Sequence, residues 1–444
     1  MATPTPTETK MICTYSLTKT THTEQYGRRC LDCHTSQQGA CLSCCVSCHS
    51  GHKLGPLKYG LFYCDCPSLQ KCNLCVCKPV VPLLTENVNL GMNNIALKFF
   101  DVTGIDKVFS PLSIGILTSL VHQGAQGSTD TELTEFFGMK YDMDTLSKLY
   151  ANFNIPTVKV SNVLFINKNF ADQIKSEYTT SIREVAMCRT ENFKFENEIR
   201  ETINNYIELN TNGLIKNAIP AGVITPRDVI IMVNTVYFKC NWQDKFKKTK
   251  TESDVSFTSD LTGAVSKVSM MNQTTVYPYY NASTYHMVEL PYEDEDFIMG
   301  IVLVKDPKVT SMTQVFHDVL ANFKTHTSAL VRTEIELSLP RFAQRNKIDL
   351  IPHFKKMGVM TLFDGVSCNL FGIAPYIYIS SASHEAVVII DEEGTEAAAF
   401  TGFMTRAACV KPEPPKFRAD HSFMYYIRHK PSNIILFVGV YHGN

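Results

Sequence analysis

The sequence lacks several features that would place it in a functional class at once. No apolar run reaches about 18 residues, the length that a membrane-spanning helix needs. The net charge is only −1 at pH 7, so no basic excess indicates nucleic-acid binding. The first ten residues, MATPTPTETK, lack the hydrophobic stretch of a secretory signal. These absences predict an intracellular, cytoplasmic protein, with the nucleus as an alternative location, and no membrane or nucleic-acid partner.

Cysteine is present in quantity but is unevenly distributed. Twelve of the 16 cysteines lie between Cys13 and Cys77, and the other four are scattered over the rest of the chain. Hydrophobic residues make up 44% of the sequence, enough for a substantial core. Pro79 and Pro82 interrupt regular structure between the two parts. We therefore predict a cysteine-rich module at residues 13–78, a linker at 79–90 and a large module at 91–444.

The spacing of the clustered cysteines is typical of zinc sites. Two C-x-x-C pairs begin at Cys30 and Cys41, and an H-x-x-H pair begins at His49. Such pairs bring two ligands to one ion from a short turn. A segment with few large apolar side chains also needs metal to supply folding free energy. The spacing predicts structural zinc, and a disulfide framework is the alternative.

This segment resembles a UBR box, a zinc module that reads protein N-termini in some ubiquitin ligases. The matching stretches are CTYS, CLDC, CLSC, CHSGHKL and FYCDC. The resemblance implies roughly two or three structural zinc ions. One would be bound by Cys30, Cys33, His49 and His52. A two-zinc cluster would use Cys13, Cys41, Cys44, Cys64, Cys66 and Cys75. One ligand position stays open among Cys48, Cys72 and Cys77.

The same resemblance implies contact with N-terminal degrons and a ubiquitin-pathway protein as a candidate partner. Asp65 matches one acid that the family uses for the bound α-amino group. Ser36 and Ser68 stand where two further acids are expected, which weakens the charge complementarity. A zinc-stapled protein-interaction module without degron binding is therefore the alternative interpretation.

The large module alternates helical and strand-like patterns. Ser110 is suited to cap a helix that Pro111 opens, and Thr129 is suited to cap a second helix that ends at Gly138. A further helix is predicted over Lys356–Phe363. The nearly continuous apolar run Asp228–Lys239 predicts a central strand that is buried on both faces. Its only amide, Asn234, then needs a hydrogen-bond partner.

The stretch Asp391–Phe403 has the composition of a loop and the alternation of a strand. Extended, it would place Thr395, Ala397, Ala399 and Thr401 on one face. Glu396, Ala398 and Phe400 would lie on the other face. One face is small enough to enter a packed sheet, so the stretch is predicted to be a loop that could become a strand.

These patterns together resemble the serpin family from Thr85 to Asn444. The matching stretches include FSPLSI, SNVLFI, MVNTVYFKCNW, SLPRF, ISSASHEAVVIIDEEGTEAAAFTG and FRADHSFMYYIRH. The resemblance implies an α+β serpin fold with a large central β-sheet, further sheets, about eight to nine helices and an exposed reactive loop. It also implies a protease inhibitor rather than an enzyme, of the intracellular ovalbumin-type or a viral branch.

The resemblance further implies roles for particular residues. The hinge of the reactive loop would be Glu392, Glu393, Gly394, Thr395, Glu396, Ala397, Ala398 and Ala399. Counting from Gly394, the cut bond would be Ala408–Cys409, which suits an elastase-like serine protease. A shifted register would make Arg406 the specificity residue for a trypsin-like enzyme, and a cysteine protease is a further candidate partner. A latch beneath the main sheet would consist of Ser110, Asn234 and His384.

Phe400 departs from this pattern, since a small residue is usual at its position. Two alternatives to inhibition therefore stay open. One is a non-inhibitory serpin scaffold, and the other is a ubiquitin-pathway adaptor that acts through the UBR-like box.

Overall fold

The structure is a computed structural model that describes residues 23–28, 40–41, 58–62, 86–103, 108–153, 155, 157–395 and 413–443. The chain forms two compact units, Met1–Leu83 and Leu84–Asn444. In the part of the chain that is described, no helix is both long and apolar enough to cross a membrane.

The described part of the first unit is a small antiparallel sheet. It contains β1 (Thr23–Arg28), β2 (Ala40–Cys41) and β3 (Lys58–Phe62) in the order β2-β1-β3. Gly27 pairs with Cys41, and Tyr26 pairs with Tyr59. Of the predicted zinc ligands only Cys41 lies in these strands, and the others, with Asp65, lie outside the described residues.

The described part of the second unit contains nine α-helices. They are α1 (Glu86–Thr103), α2 (Pro111–His122), α3 (Gly127–Phe137), α4 (Met143–Phe153), α5 (Ser176–Ile182), α6 (Glu196–Asn210), α7 (Met312–Ala321), α8 (Phe323–Ser328) and α9 (Leu350–Lys356). The cap of α2 follows the sequence prediction, because the Ser110 side chain accepts a hydrogen bond from the Ser113 N–H.

A mixed eight-stranded sheet supplies much of the core. Its strands are β8 (Glu252–Thr258), β9 (Val265–Asn281), β10 (Tyr285–Pro291), β11 (Phe297–Val304), β12 (Val331–Pro340), β16 (Lys416–Arg418), β17 (Phe423–His429) and β18 (Ile434–Tyr441). They are paired in the order β16-β12-β9-β10-β11-β17-β18, and β8 also pairs with β9. Every residue of β11, β17 and β18 is buried, as expected for nearly continuous apolar runs.

One ion pair is buried in this sheet. Glu289 is 2% exposed and accepts two hydrogen bonds of 2.7 Å from the Arg428 guanidinium. The Tyr426 hydroxyl donates a third hydrogen bond to the same carboxylate, also at 2.7 Å. Buried charges need such partners because their desolvation is unfavourable.

Two smaller sheets lie on either side of a gap. The first is β5-β4-β6, with β4 (Val158–Asn167), β5 (Met187–Glu191) and β6 (Ile230–Phe238). The second pairs β13 (Phe342–Asp349) with β14 (Ser383–Ile390). A short bridge joins β7 (Cys240–Asn241) to β15 (Gly394–Thr395). Among the described strands, β6 pairs only with β4 and β14 only with β13.

The structure corrects two helix predictions. Helix α3 begins at Gly127 instead of being capped by Thr129, whose hydroxyl accepts a hydrogen bond from the Asn369 N–H at 3.0 Å. The helix expected over Lys356–Phe363 instead covers Leu350–Lys356. It ends there because Gly358 adopts a left-handed conformation with φ of +90°.

The prediction that the strand at Asp228–Lys239 is buried on both faces was wrong. Ile230, Ile231 and Met232 are only half-buried. The prediction assumes a central strand with a neighbouring strand on each edge. In the structure one edge of β6 faces the gap, so these side chains have no strand beside them in the described chain.

Candidate functional site

The candidate site is the gap between β6 and β14. A cavity of about 360 Å³ occupies it, and Ile230–Thr235 of β6 lines one side. Glu385 of β14 and Lys347 of β13 line the opposite side. The gap is therefore an opening between two sheet edges that do not pair with each other among the described strands.

Helices cover the gap on both faces. Leu117 and Val121 of α2 line the cavity on one face, and Ile207 of α6 lines it on the other. Asn234 faces α2 and Val233 belongs to the apolar cluster around α6. Successive residues of β6 thus point alternately to the two helices, as in any strand. The helices on the two faces therefore contribute apolar side chains to the lining of the cavity.

A short turn, Asp391–Gly394, lies at the end of the gap that is nearest to β7. The Asp391 side chain accepts hydrogen bonds from the N–H groups of Glu393 (2.9 Å) and Gly394 (3.1 Å). The Trp242 N–H donates to the Glu393 carbonyl at 2.8 Å, and its indole N–H donates to the Asp391 carbonyl at 2.9 Å. Trp242 is 1% exposed and stacks on Tyr292 with ring centroids 4.5 Å apart. The turn is consequently fixed to the end of β7.

Gly394 is required at this turn for two reasons. Its φ is +141°, a conformation that side-chain-bearing residues rarely adopt. A Cβ at this position would also lie 2.4 Å from the Cys240 carbonyl oxygen. Beyond it, the Thr395 backbone pairs with Cys240. The chain thus enters the gap as a strand at Gly394–Thr395.

Ion pairs hold the two acids of the predicted hinge. Glu393 lies 3.4 Å from the ammonium groups of Lys245 and Lys248. Glu392 accepts a hydrogen bond of 2.8 Å from the Thr251 hydroxyl and lies 3.8 Å from Arg341. Sequence reasoning missed these partners, although the basic run around Lys245–Lys250 was a signal. Both acids are buried, so in this structure they anchor the start of the loop.

The predicted latch residues all lie near the first turn of α2. The Ser110 N–H donates a hydrogen bond of 3.0 Å to His384 Nε2. The Ser113 hydroxyl donates to the Asn234 side-chain oxygen, and the Asn234 amide donates to the Asn162 side chain at 2.6 Å. Ser110 and His384 are therefore in direct contact, whereas Asn234 contacts Ser113 and Asn162. Sequence reasoning missed Ser113, although it belongs to the same FSPLS stretch.

His384 gives the latch a dependence on pH that can be measured. Burial lowers the pKa of His384 to about 4, and its Nε2 must be unprotonated to accept the Ser110 hydrogen bond. In the unfolded chain the pKa of a histidine is ~6.5. The contribution of neutral His384 to the free energy of unfolding is therefore fully present above about pH 6.5. It is lost as the pH falls towards about 4.

We expect wild-type protein to lose roughly 2–3 kcal/mol through this group between pH 7 and pH 4.5. Denaturant unfolding at the two pH values should show a smaller loss in His384→Gln than in wild type. His286, whose pKa burial also lowers to about 4, stays in both proteins and accounts for part of the remaining loss. An equal loss in the two proteins would exclude this role for His384.

The reactive bond predicted at Ala408–Cys409, its alternative Arg406 and hinge residues 396–399 lie outside the described residues. In the described ranges no cluster of three or more His, Cys, Asp or Glu side chains could hold a metal ion. The site is thus a gap with an anchored loop start and no metal centre among its described residues.

Comparisons with known proteins agree with this geometry. The family model described as serpin (serine protease inhibitor) matches residues 91–442. An uncharacterised serpin-like protein of Acanthamoeba polyphaga mimivirus is 34% identical over 376 residues, covering 81% of this chain and 90% of its own. The leukocyte elastase inhibitor of Bos taurus is 32% identical over 349 residues, covering 74% of this chain and 91% of its own.

A solved structure shows the same fold. The structure titled cleaved Serpin 42Da superposes with a TM-score of 0.70 at 25% identity, covering 80% of this chain and 97% of that chain. The family match spans well over half of the sequence. The chain belongs to the serpin family of serine protease inhibitors.

Proposed function

We propose that this chain inhibits a protease as a suicide substrate. The protease attacks the carbonyl carbon of Ala408, forms an acyl-enzyme and releases the amine of Cys409. The freed loop then inserts as a strand between β6 and β14 and carries the attached protease with it, which distorts the protease active site. One observation supports this most directly: the loop already enters an open gap as a strand, at Gly394–Thr395.

The described geometry favours insertion in three ways. The unpaired edges of β6 and β14 offer backbone hydrogen-bonding groups to an incoming strand. The turn at Asp391–Gly394 fixes where that strand begins. After Glu396, the next residues to enter, Ala397–Ala399, are small and uncharged. The target would be a serine protease with a shallow specificity pocket, since Ala408 has a small side chain.

A protease panel tests this proposal. We expect an elastase-like protease to give a covalent, detergent-stable complex on a denaturing gel. Ala408→Arg should transfer complex formation to a trypsin-like protease, with a change in preference of at least about 100-fold. Arg406→Ala serves as the matched control and should leave the elastase-like complex unchanged.

Two other outcomes would contradict either the proposed cut bond or inhibition itself. A trypsin-like complex in wild type that Arg406→Ala abolishes would move the cut bond to Arg406. Cleaved chain without any complex, across serine and cysteine proteases, would contradict inhibition and favour a non-inhibitory scaffold.

We also propose that the first unit is a zinc-stapled interaction module. Support comes from the ligand spacing between Cys13 and Cys77 and from the chemistry of thiolate and imidazole donors. Zinc would supply folding free energy to the unit. A ubiquitin-pathway protein is the partner that we infer for it from the UBR-box resemblance, with Asp65 as a contact to an N-terminal degron.

Elemental analysis of the full chain tests the zinc proposal. We expect roughly two or three zinc ions per chain, and about one fewer in Cys30→Ser. Cys188→Ser is a matched control, since Cys188 is a free thiol in the second unit, and it should retain all the zinc. Zinc-free protein that keeps an unchanged unfolding profile after chelation would contradict the proposal.

A further inference from the structure

The segment between α9 and β14 exposes several large apolar side chains. Val366 is 96% exposed and Tyr376 is 91% exposed. Tyr378 and Phe371, in the same segment, are 47% and 40% exposed. Single exposed apolar side chains are common on folded proteins, whereas a contiguous group of them marks a contact surface. The question is therefore whether these four side chains adjoin one another.

Their contacts place them in one patch. The rings of Phe371 and Tyr376 meet edge to face, with centroids 5.6 Å apart. The Tyr378 ring lies against Gly365, where an added Cβ would be 3.2 Å from the ring. Gly365 directly precedes Val366, and Tyr378 is two residues beyond Tyr376. Val366, Phe371, Tyr376 and Tyr378 are called the aromatic patch below.

The aromatic patch lies in a stretch without charge. Residues 365–383 contain no Asp, Glu, Lys, Arg or His. By contrast, the exposed Val309 and Leu209 directly follow charged residues, Lys308 and Glu208. The core of a protein interface is depleted in charged residues and enriched in aromatic ones. The composition of the patch is therefore that of an interface core.

The backbone beneath the patch is fixed to the rest of the unit. The Gly372 N–H donates to the Gly124 carbonyl at 2.9 Å, and the Lys175 N–H donates to the Ile373 carbonyl, also at 2.9 Å. The Ile373 side chain is fully buried. The segment cannot turn its apolar side chains inward without breaking these contacts. A partner would thus meet a preorganised surface and lose little free energy in ordering it.

Tyr376 is held in an unfavourable conformation at the surface. Its φ is +57°, in the left-handed region that bulky residues rarely adopt. Its side chain is almost fully exposed, so burial within the subunit does not offset this strain. Strained residues that are kept at the surface point to a function, here a contact outside the subunit.

The area of the patch matches what a stable dimer needs. With about 150–250 Å² for each aromatic side chain, the exposed fractions correspond to roughly 500 Å² of apolar surface. A standard interface buries about 800 Å² per partner, of which about 65% is apolar in homodimers. The patch therefore supplies about the whole apolar share of one side of such an interface.

The lack of charge favours a second copy of this chain as the occupant. In a two-fold symmetric dimer the same surface lies on both sides of the interface. A charged patch would then repel its own copy, whereas an uncharged aromatic patch packs against itself edge to face or with offset rings.

We propose that the aromatic patch is a homodimer interface, in which two copies of this chain pack their patches together about a two-fold axis. Val366 and Tyr376, the most exposed members, are buried by the partner copy. Phe371 and Tyr378 support them at their sides. This inference is independent of protease inhibition, because the patch shares no residue with the gap or the reactive loop.

Sedimentation equilibrium of the full-length chain, in buffer with a reductant to exclude cysteine-linked dimers, tests the proposal. We expect a monomer–dimer equilibrium in wild type. Val366→Glu and Tyr376→Glu should each raise the Kd at least about 100-fold, since each dimer would bury two carboxylates. Val309→Glu is the matched control, because Val309 is an equally accessible valine outside the patch, and its Kd should equal that of wild type.

Tyr376→Gly separates association from folding. It removes the ring and relieves the left-handed strain, because glycine adopts this conformation freely. The Kd should rise at least about tenfold. The Tm, measured at a dilution where wild type is monomeric, should not fall.

Three results would overturn the proposal. One is a wild-type chain that stays monomeric at every concentration, which would leave the patch to a different protein or to solvent. Another is a dimer whose Kd is unchanged in both glutamate variants, since its interface then lies elsewhere in the chain. The third is a dimer that dissociates as the salt concentration rises, because salt screens charge pairs and not an uncharged interface.

Discussion

A Thr395→Arg variant is expected to be cut by the target protease and to lose almost all inhibition. The Thr395 backbone lies beside Cys240, which is 8% exposed. An arginine here would have to enter the sheet first, and burying its charge costs several kcal/mol. Since each 1.4 kcal/mol is about tenfold, we expect the ratio of covalent complex to cleaved chain to fall more than about 100-fold.

Quantitative denaturing gels at a fixed protease ratio measure this effect. Thr395→Val is the matched control for shape without charge, and it should form complex nearly as wild type does. Glu396→Gln controls for charge on the opposite face and should also have little effect. If Thr395→Arg kept its full complex yield, the loop would not enter the gap from Thr395.

The second large effect concerns the buried ion pair of the eight-stranded sheet. Glu289→Ala removes the partner of the Arg428 guanidinium, whose side chain is 8% exposed. Burial lowers the pKa of Arg428, but the hydrogen bond and attraction to Glu289 outweigh it and raise the pKa. The arginine would stay charged and unpaired. We expect a loss of about 3–5 kcal/mol in the free energy of unfolding, measured with denaturant.

An exposed ion pair supplies the comparison. Lys324 pairs with Glu86, and their side chains are 72% and 73% exposed. Lys324→Ala should therefore cost no more than about 1 kcal/mol. Removing both members of the buried pair, as Glu289→Met with Arg428→Met, should recover part of the stability that Glu289→Ala loses. A small effect of Glu289→Ala alone would show that Arg428 finds another partner or water.

Local chemistry made several features predictable. Ser110 caps α2 because its hydroxyl and Pro111 suit a helix start in any context. The strand at Ile434–Tyr441 follows from an apolar run with few alternatives. Gly394–Thr395 forms a short strand beside β7, and its role as part of a hinge stays a prediction.

Features that depend on distant neighbours were not predictable. Thr129 is a good cap residue, but its hydroxyl accepts a hydrogen bond from the Asn369 N–H, and α3 begins earlier, at Gly127. Asn234 was expected to need partners, yet nothing local identified Ser113 and Asn162. The ion pairs of Glu393 join residues nearly 150 positions apart, and sequence spacing gives no distance between them.

The sequence by itself determined the serpin fold and the order of small and large residues in the loop. Composition and motif spacing are enough for this, because they decide which segments can be buried or extended. Only the tertiary structure decided that, among the described strands, β6 and β14 each pair along one edge and that a cavity lies between them. Both features depend on how the sheets and helices pack, which no stretch of the sequence encodes alone.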